Sequence, residues 1–120
     1  MDDQNRIKFN GVNLFIDTSG YDSARFAFAR GREFFIGETH LARQENWKIL
    51  NHLDFFLKKH KVKKSDIKKI TVCKGPGSYT GTRVGVTIAQ ALSLALNVPL
   101  RVVGKAAMDK IFQNKNRLVK

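Results

Sequence analysis

This sequence is short of cysteine, of acid and of long apolar runs. Its single cysteine, Cys73, cannot close an internal disulfide. That excludes a cystine-stapled secreted scaffold and fits a reducing, cytosolic compartment. The longest uncharged stretch, Val84 to Leu100, is interrupted by Thr87, Gln90, Ser93, Asn97 and Pro99. It is too short and too polar for a membrane crossing, so no spanning segment is expected. The start, Met1-Asp-Asp-Gln-Asn, is acidic and polar, unlike a secretory leader.

Acid is scarce: ten Asp and Glu stand against 22 Lys and Arg, for a net charge of +12. No Asp or Glu occurs between Asp66 and Asp109. Seven lysines fall between Lys58 and Lys69 with only Asp66 among them, and the stretch from Lys110 to Lys120 adds three lysines and an arginine. Such a balance attracts polyanions, and RNA contact through this surface is one expectation. A solvated charge run is the other. Apolar content of 42% over 120 residues allows one domain with its own core. We expect a single domain over 1–120, a core at 11–113, and flexible segments at 1–10 and 114–120.

The chain is organised around Gly75-Pro-Gly-Ser-Tyr-Thr-Gly81. An apolar strand, Ile70 to Cys73, precedes it, and an Ala/Leu/Val/Ile-rich helix from Thr80 to Leu96 follows. The loop is therefore a strand-to-helix turn, with Ser78 and Thr80 available as hydroxyl caps. Its N–H groups could cradle an anion, with Asp17, Gly75, Gly77, Ser78 and Thr80 as the candidate set. Yet Gly81 is followed by Thr82 and Arg83, so the lysine of a nucleotide phosphate loop is missing. The third glycine of a dinucleotide fingerprint falls one residue late, and its acid is absent. A tight turn that lets the helix lie close to the sheet is the preferred reading.

Upstream, Val12 to Ile16 runs into Asp17-Thr-Ser-Gly20, Ser23 to Arg30 alternates, and Glu33 to Glu38 forms a third strand. Short polar turns between them indicate an antiparallel meander. From Gln44 to His60 the period becomes helical, and Ile49, Leu50, Leu53, Phe56 and Leu57 form the stripe expected to face the sheet. Trp47 and Phe55 lie off it, which suggests a second contact surface. Gly81, Gly85 and Ala89 share one face of the later helix, where another backbone can approach closely. Leu100 to Val103 is a fifth strand, and Lys105 to Gln113 a final short helix. The order β-β-β-α-β-α-β-α is that of an α/β, ribonuclease-H-like half-domain of the actin, Hsp70 and sugar-kinase superfamily, with a five-stranded mixed sheet.

Asp17-Thr-Ser19, Lys74-Gly-Pro-Gly-Ser-Tyr-Thr-Gly-Thr-Arg-Val-Gly85 and Ile88-Ala-Gln-Ala-Leu92 resemble the bacterial TsaB (YeaZ) family. The resemblance covers the N-terminal half of a family member. It implies a non-catalytic accessory subunit of the machinery making threonylcarbamoyladenosine at position 37 of tRNA. Implied partners are a catalytic TsaD-type subunit and a TsaE-type ATPase, with a homodimer when alone. The implied interface is the helix pair, with Trp47, Phe55, Gly81, Thr82, Gly85 and Ala89. No catalytic residue, metal or cofactor is implied. The chain departs from the family at Arg43-Gln-Glu-Asn46, where an Arg-x-His-Ser element is usual. His40, His52 and His60 do not reproduce the His-x-x-x-His pair of the catalytic relative. Two other functions remain open. In a degenerate nucleotide-binding ATPase, only Asp17 could approach the hydroxyls of the glycine loop. In a basic RNA-binding module, aromatics would be interleaved with the lysines, and the Lys58 to Lys69 run has none.

Overall fold

Alternation along the first strands decides how the molecule is layered. In β1 (Val12–Asp17), Val12, Leu14 and Ile16 are buried on one face, while Phe15 and Asp17 point to the other. In β2 (Ser23–Arg30), Ala24, Phe26 and Phe28 join the first face and Ala27 and Ala29 the second. Both faces therefore need cover. The first is covered by α1 (Ile49–Lys59) and α2 (Tyr79–Leu96), the second by α3 (Lys105–Gln113). The computed structural model describes residues 11–42 and 45–113; the terminal segments expected to be flexible lie outside these.

The five strands run in the order β3-β2-β1-β4-β5, with β3 at Glu33–His40, β4 at Ile67–Cys73 and β5 at Leu100–Val103. β1, β2 and β3 pair antiparallel, whereas β4 pairs parallel to both β1 and β5. This is the expected mixed sheet. Two strands are longer than periodicity indicated. β3 continues to His40 because its ladder with β2 closes at Ser23↔His40, and β4 begins at Ile67 because Val12 pairs with it. Cross-strand partners extend strands that side-chain pattern alone would stop.

The first helix departs from expectation at its start. Gln44 lies outside the described residues, and Asn46–Lys48 is a 3-10 turn leading into α1 at Ile49. Among the described residues no side chain caps either piece; Glu45 instead accepts from the Ala42 amide at 2.9 Å and from the Lys48 ammonium at 2.9 Å. Ile49, Leu53, Phe56 and Leu57 are buried on the sheet, but Leu50 turns to solvent. At 100° per residue it falls on the flank of the stripe rather than within it.

The second helix uses its small residues inward. Gly81, Gly85 and Ala89 are buried, and the two glycines face Thr18, just beyond the end of β1. A Cβ on Gly81 would stand 2.6 Å from the Thr18 carbonyl oxygen, and one on Gly85 would overlap the Thr18 hydroxyl. The Thr18 hydroxyl donates to the Gly81 carbonyl at 2.6 Å. This corrects the assignment of Gly81, Gly85 and Ala89 to a partner interface, because the chain's own Thr18 fills the space at the two glycines and Ala89 is buried in the core. Gly85→Ala should therefore destabilise the fold itself, by about 1–3 kcal/mol. Urea denaturation followed by circular dichroism measures this; an unchanged midpoint would contradict the packing.

Candidate functional site

Three consecutive buried polar residues, Asp17, Thr18 and Ser19, lie at the end of β1 and just beyond it. Strand alternation sends Asp17 to the α3 face and Thr18 to the α2 face. Ser19 meets the glycine loop: its carbonyl accepts from the Ser78 amide at 2.8 Å, and Gly77 lies so close that a Cβ there would overlap it. Gly77 and Gly75 also have φ of 158° and 98°, the latter firmly in the region that favours glycine. One tripeptide thus holds both the loop and the start of α2.

Asp17 is 2% exposed and fully engaged. Its Oδ1 accepts from the Ser19 amide at 3.0 Å and the Ser19 hydroxyl at 2.6 Å, a local turn in which the side chain caps its own backbone. Its Oδ2 accepts from Arg25 Nε at 2.8 Å and lies 3.3 Å from the Lys105 ammonium. Arg25 is the cross-strand partner of Asp17 in the β1–β2 ladder. The same guanidinium pairs with Asp109 and stacks 4.2 Å from the centre of the Phe112 ring, both on α3. Burial alone would push the Asp17 carboxyl up. The Ser19 hydroxyl, the Ser19 amide and Arg25 outweigh it and hold the group below its ordinary value. Desolvation alone would push the Arg25 guanidinium down; Asp17 and Asp109 outweigh it and push the group up.

The candidate anion set does not converge. Gly75 gives its amide to Cys73 Sγ at 3.4 Å, Ser78 gives its amide to Ser19, and the Gly81 amide goes to the Ser78 hydroxyl at 3.1 Å. Ser78 is the cap of α2; Thr80 is exposed in its first turn and caps nothing. Asp17 lies across the sheet from the helix pair, facing Lys105 and α3. The tight-turn reading of the loop is thus the one the hydrogen bonds describe. Thr82 is half-buried, with a buried hydroxyl beside Gly75 that finds no partner among the described residues, so its side chain turns inward rather than outward.

The histidines have separate places. His52 Nδ1 lies 3.4 Å from the Thr39 hydroxyl, and His60 packs among the rings of Phe28, Phe35 and Phe56. His40 ends β3. Cys73 is buried, which pushes its thiol up and away from reactivity.

Outward-facing residues form a different set from the small-residue face. Trp47 is 69% exposed and Leu94 85%, with Tyr79, Leu50 and Phe55 also open. Along α2, Tyr79, Arg83, Val84, Thr87 and Ile88 line a shallow depression of about 360 Å³. Arg83 donates to the Tyr79 hydroxyl at 3.1 Å, with its guanidinium over that ring. Sequence reading missed Tyr79, Arg83 and Thr87; their four-residue spacing, one ridge away from Gly81, Gly85 and Ala89, was the available signal.

The fold and this corner define a ribonuclease-H-like half-domain of the actin, Hsp70 and sugar-kinase superfamily. Residues 39–109 match the family model described as TsaD, tRNA N6-adenosine threonylcarbamoyltransferase. The chain is 37% identical over 92 residues to the tRNA threonylcarbamoyladenosine biosynthesis protein TsaB of Bacillus subtilis, covering 75% of this chain and 39% of that protein. It is 32% identical over 89 residues to TsaB of Buchnera aphidicola from Schizaphis graminum, covering 74% and 42%. The fold superposes on YeaZ from Pseudomonas aeruginosa with a TM-score of 0.71 at 24% identity, over 78% of this chain and 44% of that one. The chain belongs to the TsaD-type family, on its TsaB (YeaZ) branch, and spans about two fifths of the length of the curated relatives it matches.

Removing the Asp17 charge should have a pH signature. A carboxyl whose folded pKa is depressed stabilises the fold above its unfolded value and loses that stabilisation as pH falls through the folded value. Asp17→Asn should cost about 3 kcal/mol at pH 7, where it leaves Arg25 and Lys105 without their buried partner. Its deficit relative to the wild type should shrink below pH 3.8, the ordinary value for this group. Urea titrations between pH 7 and pH 2.5 check this; a deficit constant with pH would remove Asp17 from the ionic network.

Proposed function

We propose that this chain is a non-catalytic partner subunit in the biosynthesis of threonylcarbamoyladenosine in tRNA. It binds a TsaD-type catalytic subunit through the outward faces of its helix pair. The observation that carries this reading is the apolar surface that α1 and α2 leave open: Trp47, Leu50, Tyr79 and Leu94 are exposed large side chains on the two helices and the turn entering the first. Trp and Tyr are enriched at the centres of interfaces, where they bury area at small entropic cost. Val84 and Ile88, half-buried in the α2 depression, extend the same surface.

Support also comes from the names of the relatives and from the Asp17 corner. Both curated TsaB proteins are described as biosynthesis proteins for this modified nucleoside. A nucleotide hydrolase would need Asp17 free to meet a substrate or a metal. Here the chain's own Arg25, Lys105 and Ser19 occupy that carboxylate, which argues against the ATPase alternative. In the proposed assembly a TsaE-type ATPase joins the catalytic pair, the exposed seam makes a homodimer when the chain is alone, and the location is the cytoplasm. The basic end of the molecule faces the tRNA.

Co-expression with a TsaD-type subunit tests the reading. The wild-type chain should co-elute with it, whereas Trp47→Asp and Thr87→Arg should each weaken association by about 30-fold or more. Both positions face outward, so circular dichroism and melting should stay unchanged. Co-elution of both variants at wild-type level would overturn the proposed seam.

A further inference from the structure

A groove on the other flank of α1 belongs neither to the helix pair nor to the Asp17 corner. α1 runs antiparallel to the edge strand β3: His52 meets Thr39, Phe56 covers Gly37, and His60 packs on Phe35. Between helix and strand lies an open groove of about 690 Å³, lined among others by Glu38, Thr39, Asn51, His52, Phe55 and Lys59. Phe55 is 67% exposed at its rim. On the helix, Phe55 and Lys59 line this groove, while Leu50 and Asp54 stand about 100° or more round the axis from Phe55. Phe55 thus stands apart from the small-residue face with which the sequence grouped it.

The groove opens onto the most basic end of the molecule. Lys58 and Lys59 close α1, and Lys61, Lys63 and Lys64 follow at once. Arg30, at the end of β2, lies over the Phe28 ring and close enough, with Lys59, to depress the protonation of His60 beyond the effect of burial. Asp54, on α1 before the run, engages Lys64 at 3.0 Å, and Asp66 within it caps a backbone amide at 2.9 Å. Lys58, Lys59, Lys61 and Lys63 are exposed. The lysine run carries no aromatic of its own in sequence; the helix supplies one, Phe55, a single turn before Lys58 and Lys59.

We infer that the α1–β3 groove is a binding site for single-stranded RNA, with a base stacked on Phe55 and the adjoining phosphates on Lys59, Lys61 and Arg30. A flat exposed ring beside a cationic track is the combination that holds unpaired nucleotides, since every base has a face to stack and every linkage a charge. The amide of Asn51 and the imidazole of His52 supply hydrogen-bonding groups at the groove wall. Among the described residues, Glu38 is the one acid lining it, placed on the strand side, away from the lysine-rich end of α1. A peptide strand docking on β3 would use the same groove, but the concentration of positive charge favours a polyanion.

Anisotropy of a 5′-labelled ten-nucleotide oligouridylate RNA, titrated with the full chain at 50 and 150 mM KCl, tests the site. Phe55→Ala should weaken binding by about 5- to 150-fold at either salt concentration. The double variant Lys59→Glu/Lys61→Glu should weaken it further and lower the salt slope by about 0.7 for each phosphate no longer neutralised. Phe55→Ala should leave co-elution with the TsaD-type subunit intact, which separates this site from the helix seam. Oligouridylate binding by Phe55→Ala within two-fold of the wild type would overturn the inference. So would loss of subunit co-elution with RNA binding unchanged, which would give the groove to a protein.

Discussion

A buried carboxylate that the chain neutralises with its own cations is the constraint on which this fold rests. Asp17 must be charged to accept from Ser19, Arg25 and Lys105 together. Those three come from the β1 turn, the neighbouring strand and the last helix, which otherwise have little to align them. Because Arg25 also grips Asp109 and covers Phe112, α3 is docked by charge as well as by the burial of Met108 and Phe112. Thr18 and Ser19 extend the same corner to α2 and the glycine loop. One tripeptide therefore sets the position of every element at the carboxyl ends of β1 and β4.

That arrangement bears on the partner-subunit role proposed above. In a strand-end pocket used for phosphate chemistry, a carboxylate stays available to a cation from outside. Here two internal cations fill that role, and the Gly75, Ser78 and Gly81 amides are given to Cys73, Ser19 and Ser78. The corner has become a brace. What the molecule still offers to its surroundings lies elsewhere: an apolar ridge on the helix pair, and a basic end with one aromatic ring beside it.

Periodicity made much of this legible. The five strands, the three helices and the mixed sheet follow from alternation and from glycine and proline punctuation. The burial of Ile49, Leu53, Phe56 and Leu57 follows from helical spacing. Spacing also showed that Gly81, Gly85 and Ala89 share a face; it could not show what covers that face, and the answer was Thr18, more than sixty residues upstream. Arg25 read as a polar position in an alternating strand, because its role exists only once the β1–β2 register sets it opposite Asp17. Lys105 and Asp109 were hidden for the same reason, brought in by a chain reversal that no local pattern encodes. Phe55 was recognised as off the stripe, but which flank it occupies needed the antiparallel run of α1 along β3.

The second helix has eighteen residues and one charge, Arg83. A rod so nearly neutral sheds almost no ionic hydration when another surface covers it, which favours burial; uncovered, it invites self-association. The chain's excess of +12 opposes that self-association, since mutual repulsion weakens any contact between two free copies. Added salt screens the repulsion and promotes clustering of free chains, whereas the same salt loosens any polyanion held at the lysine-rich end. Ionic strength would drive the two surfaces in opposite directions.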